Sequence, residues 1–105
     1  MATWFYLSFA DGRLPKSEQW LGAVIVQGND VADAVKTAWR LGINPGGDIA
    51  SVEIEHLPPP RFRNRLMISK AELRDMGEAM SGDSRLLDMD GRIVKPDGVE
   101  DDPNF

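Results

Sequence analysis

The stretch that most constrains the fold is "WLGAVIVQ", Trp20 to Gln27. Side chains alternate between the two faces of a strand. Here both alternating sets are apolar until Gln27, so the run predicts a central strand buried on both sides. It follows "TWFYLSF", Thr3 to Phe9, whose aromatic content predicts a second strand. Alternation sets Phe5, Leu7 and Phe9 on one face of that strand and Trp4, Tyr6 and Ser8 on the other. Between the two lies "ADGRLPKSEQ", a loop by its Asp-Gly and Leu-Pro turn signals.

The period then changes from 2 to 3.6. In "NDVADAVKTAWRLG", Val31, Ala34, Val35, Ala38 and Leu41 recur at helical spacing. Asn29 or Asp30 is the expected N-cap, and Gly42 the left-handed residue after the last turn. Asp30 and Asp33 sit at the positive end of the helix dipole, Lys36 and Arg40 toward the negative end. After the turn "INPGG", the run "DIASVEIEHL" alternates and predicts a third strand, which Pro58, Pro59 and Pro60 end. Arg65 to Ile68 reads as extended. Ser69 and Glu72 form a capping box that opens a second helix through about Met80, with Leu73, Met76 and Met80 as its buried stripe. "RLLDMDGRIVK" predicts a hairpin turning at Asp90-Gly91.

These elements give an α+β fold in the order ββαβα plus a C-terminal hairpin. The expected architecture is a small, mainly antiparallel sheet of three to five strands with two helices on one face. A length of 105 residues fits one domain, taken as residues 1–96 with an acidic, mobile tail at 97–105.

Composition removes several functions. No cysteine is present, which excludes a disulfide framework, a thiol nucleophile and a thiolate metal site. The net charge is −5, a poor balance for binding duplex nucleic acid, which needs a basic footprint. No run approaches the ~18 apolar residues of a membrane helix. The start "MATWFYLSFADG" lacks the pattern of a secretory leader, so the expected location is the cytoplasm.

Five features carry chemistry, each with a structural alternative. In "GINPGG" the amides of Gly46 and Gly47, beside Asn44, can converge into an anion-holding nest, with Arg40 and either Arg13 or Lys16 supplying charge. The alternative is turn chemistry alone, and a loop after a helix C-terminus is the wrong end of the dipole for an anion. Trp4 and Tyr6 can stack on a base or anchor a partner, or be covered by the second helix or the hairpin. Trp39 reads as core. "LLDMDGRIV" resembles the nucleophile strand of haloacid-dehalogenase-type phosphatases through Asp88 and Asp90, and also part of a calcium loop. Arg92 replaces the expected Thr in the first, and Leu86 holds the first ligand position of the second, so a hairpin turn is the preferred reading. His56 is the only histidine and reads as a surface residue, with no two- or three-histidine metal site available. "RFRNR", Arg61 to Arg65, is either a phosphate grip or a solvated connector.

Taken together, "WFYLSF", "WLGAVIV" and "AWRLGINPGGDI" resemble segments of a family of small, uncharacterised proteins of bacteriophages and their bacterial hosts. The resemblance covers Trp4 to Ile54. It implies a compact α/β phage-type protein acting in the host cytoplasm, with a counter-defence role by binding, and it transfers no catalytic residue. The function expected from all this is non-enzymatic sequestration of a phosphorylated nucleotide signal. Trp4, Tyr6 or Trp20 would stack on the base, and Arg13, Lys16, Arg40 and the amides of Gly46 and Gly47 would hold phosphate. A homo-oligomer would build the pocket between subunits. No cofactor and no metal is expected. The alternative is a protein-interaction module that inhibits a host protein and takes no small ligand; a hydrolase ranks last.

Overall fold

The computed structural model describes residues 3–86. Three antiparallel strands form one sheet in the order β2-β1-β3: β1 is Thr3–Ala10, β2 is Trp20–Gly28 and β3 is Asp48–Glu53. Helix α1, Val31–Arg40, joins β2 to β3, and helix α2, Lys70–Ala79, follows β3. The α+β class, a small antiparallel sheet with two helices, matches the sequence reading. The hairpin at Asp90-Gly91, the Asp88 and Asp90 motif and the tail at 97–105 lie outside the described residues.

Two expectations are corrected. The central strand is β1, not β2. The run Trp20–Gly28 is apolar on both faces because both faces of the sheet are covered, and that requirement is met at an edge as well as at the centre. Its outer edge is capped by a later segment. Ala23 exchanges backbone hydrogen bonds with Met67, at 2.8 and 2.9 Å, and the Asn64 N–H donates to the Ile25 carbonyl at 2.8 Å. Asn64 makes this approach with φ of 57°, the left-handed region in which asparagine is tolerated.

The second correction concerns the helices, which lie on opposite faces rather than on one. Phe5, Leu7 and Phe9 of β1, with Val24 and Val26 of β2, pack against Ala34 and Ala38 of α1. On the other face Tyr6, Ala23 and Ile25 pack against Phe62, Met67, and Leu73 and Met76 of α2. Small side chains at Ala34 and Ala38 let α1 sit close to the sheet, which is why its buried stripe is narrow.

The local signals act as their chemistry predicts. Asp30 caps α1 by accepting from the Asp33 N–H, and Gly42 follows the helix with φ of 71°. At α2 the Ser69 hydroxyl accepts from the Glu72 N–H while Glu72 accepts from the Ser69 N–H, a complete capping box. Arg65 braces the same carboxylate at 2.6 Å. Its Ser69 contacts, with Arg65 nearby, hold the Glu72 carboxyl below its ordinary range.

Candidate functional site

The expected site was an accessible aromatic face beside a glycine turn, and the structure takes most of it apart. Tyr6 is fully buried, in contact with the cluster that α2 closes. Burial also raises its phenol pKa far above the ordinary value, so it is a neutral core ring. Trp4 and Trp20 are partly buried and pack against the same cluster. The Arg63 guanidinium lies 5.2 Å from the Trp4 ring centroid, a cation–π contact, and its Nε donates to the Pro58 carbonyl at 2.8 Å. Stacking a base on Tyr6 is therefore withdrawn, and one face of Trp4 is already occupied.

The turn is structural. Asn44 Oδ1 accepts from the Gly46 N–H at 2.8 Å, a side chain closing its own bend. That amide is spent and cannot line an anion nest. Gly47 has φ of 78°, and a Cβ there would sit 2.5 Å from the Ala10 carbonyl oxygen. It is a glycine because the turn must pass against the end of β1 as it enters β3. This second glycine thus answers to packing and not to a ligand.

Arg13 and Gly47 do meet. With Asp11, Gly12 and Asp48 they line a shallow open depression of about 290 Å³. Its charge is wrong for phosphate. Arg13 Nε and Nη2 each reach an Asp11 oxygen at 3.0 Å, a bidentate pair. Those bonds hold the Asp11 carboxyl below its ordinary range and raise the Arg13 guanidinium further. A phosphate entering here would meet one committed cation between two carboxylates, Asp11 and Asp48. Arg40 does not line the depression; it donates to Thr37 Oγ1 at 3.0 Å. Lys16 lies in the short turn Lys16–Glu18, and its side chain is outside the described set.

Other chemistry-bearing residues gather elsewhere. One ligand atom each from Glu55, His56 and Asp83 lies within 4.8 Å of the others. Asp83, however, is buried and its carboxylate is filled by four backbone donors. Oδ2 accepts from Glu55 and His56 at 2.8 and 3.1 Å, and Oδ1 from Arg85 and Leu86 at 3.0 and 3.2 Å. A carboxylate offers about four lone-pair sites, so none is left for a metal. Burial pushes the Asp83 carboxyl upward, but those four N–H groups outweigh it and the net shift is down. His56 Nδ1 lies 3.6 Å from Asp83, yet Ser84 donates to Glu55 instead of to the imidazole. The group is a clasp that ties the chain after α2 to the end of β3, with no assembled nucleophile.

"RFRNR" is likewise engaged. Arg61 pairs with Asp75 at 3.2 Å and covers Phe62, Arg63 braces Trp4, and Arg65 braces Glu72.

Sequence reasoning missed two residues. Trp39, read as core, is 60 % exposed. A finer use of helical spacing finds it: Trp39 falls about 100° around the helix from Ala38, at the flank of the buried stripe. Asp83 is the other. Its bonds to Arg85 and Leu86 belong to a local Asx-type turn that "GDS" signals, but its bonds to Glu55 and His56 exist only in three dimensions.

Comparison with known proteins finds no matching family model, no matching curated protein and no matching solved structure. Among the described residues, no helix is long and apolar enough to cross a membrane.

Proposed function

We propose that this chain is a non-enzymatic protein-interaction module that takes no small ligand and inhibits a host protein, in the phage-type cytoplasmic setting its sequence resembles. The observation that carries the reading is Trp39. A tryptophan on a rigid helix with more than half its surface in water supplies large contact area at little ordering cost, the character of an interface anchor. Val35 and Val31 stand one and two turns back along α1, Val35 partly exposed and Val31 exposed, and extend the apolar contact. Nucleotide sequestration is the weaker reading, because Tyr6 is sealed, Arg13 is paired and the Gly46 amide is used.

The test is a Trp39→Ala variant beside the parent chain. Capture of a specific host protein by the parent should fall at least about tenfold in the variant, the loss of a hot-spot side chain. Its melting temperature should stay within a few degrees, since an exposed substitution changes stability by about 0.5 kcal/mol or less. In parallel, cyclic and linear nucleotides should leave the melting temperature unmoved. Saturation at 100 times a dissociation constant would add about 2.7 kcal/mol, so a shift of that size would restore the nucleotide reading.

A further inference from the structure

The two edges of the sheet differ. On β2 the outward backbone groups of Ala23 and Ile25 are met by Met67 and Asn64. On β3 the Ile54 N–H, just past the strand, donates inward to the Trp4 carbonyl at 3.0 Å. Inward and outward residues alternate in an antiparallel strand. Asp48, Ala50 and Val52 therefore face β1, while the N–H and C=O groups of Ile49, Ser51 and Glu53 face away. No described residue hydrogen-bonds to those outward groups. The side chains of the same three residues are exposed on the α1 side, where the packed cluster includes no β3 residue. A row of unpaired strand groups is a template for another strand, and proteins ordinarily blunt it.

We propose that β3 pairs antiparallel with β3 of a second copy of this chain, about a two-fold axis at Ser51, fusing two sheets into one of six strands. The strand is self-complementary in that register. All three outward residues find a partner, Ser51 with Ser51 of the other copy and Ile49 with its Glu53, each pair exchanging two backbone hydrogen bonds. Glu53 is never opposite Glu53, which a register centred two residues later would force. On the other face Ala50 lies beside Val52 of the second copy, which extends the apolar cluster that Val52 already packs against. An isologous two-fold contact of this kind closes, so it yields a dimer and not a fibre. The pairing uses the backbone groups of β3 and not Trp39, and either proposal can fail without the other.

The chain has no cysteine, which makes the test clean. Antiparallel hydrogen-bonded partners stand about 5.5 Å apart at Cα, inside disulfide range. Full-length Ser51→Cys should oxidise to a covalent dimer about tenfold faster than Leu57→Cys or Ile49→Cys, because Leu57 is off the strand and the two Ile49 positions stand about 13 Å apart. The wild-type chain should approach twice its 11.6 kDa mass by light scattering as concentration rises toward roughly 500 µM, since an edge contact buries less than a standard interface. Ser51→Pro should hold it at one chain with an unchanged circular dichroism spectrum, because the lost N–H points outward. Equal oxidation rates in the three cysteine variants, or a wild-type mass that stays at one chain, would overturn the proposal. A monomer whose Ser51 amide is protected from hydrogen exchange would overturn it too, and would show the edge filled from within the chain.

Discussion

Gly46 and Gly47 are adjacent, both have positive φ, and they differ in what surrounds them. A Cβ at Gly46 meets nothing within 4 Å, whereas at Gly47 it meets the Ala10 carbonyl at 2.5 Å. Gly46→Ala should cost about 1 kcal/mol, the left-handed penalty alone. Gly47→Ala should cost about 3 kcal/mol or more, since backbone must also move. Urea denaturation of both variants checks the difference, and equal losses would remove the packing explanation. Tyr6 makes the opposite kind of prediction. Its hydroxyl is buried and has no hydrogen-bond partner of good geometry among the described residues, although the Ser8 hydroxyl is near. Removing an unpaired buried hydroxyl relieves its desolvation cost. Tyr6→Phe should therefore be neutral or stabilise by up to about 1 kcal/mol, measured by thermal melting, and a clear loss would mean the hydroxyl is satisfied.

Among the elements, α2 depends most on its cap. It is 10 residues long, it closes one face of the sheet through Leu73 and Met76, and no basic residue lies in its last turn to balance the dipole. A helix that short is marginal without tertiary packing. Ser69→Ala removes one half of the capping box and should cost about 1 kcal/mol, read as a lower urea midpoint with an unchanged slope. The strands show how far an alternating pattern reaches. It identified β1, β2 and β3 and the two faces of β1, because side-chain direction is local. It did not identify the order β2-β1-β3, because pairing is decided by which segments reach each edge, and residues 63–67 reach β2 from about 40 positions away. That unpredictable return covers the β2 edge, whereas no described residue bonds to the outward groups of β3.

For the whole molecule, acid stability is tied to Asp83. Its folded pKa is depressed, so its contribution is complete above the unfolded value of about 3.9 and is lost as pH falls through the folded value. The urea midpoint should drop below about pH 4, and Asp83→Asn should be less stable near neutrality by about 2–3 kcal/mol yet show a flatter acid limb. A variant as steep in acid as the parent would shift the dependence to other carboxylates. The amino-acid sequence by itself determined the α+β class, both helices, the Ser69 cap and a choice of Asn29 or Asp30 for the other, the turn at Gly42, and the buried stripe of Leu73, Met76 and Met80. All of these depend on residues within about four positions of each other, where spacing and hydrogen-bond reach are set by the backbone. Only the tertiary structure decided that Tyr6 is sealed and that Asp48 stands beside the Asp11–Arg13 pair. Exposure and charge pairing depend on which distant surfaces meet, and a helix on each face of the sheet, instead of both on one, changed which rings could be reached.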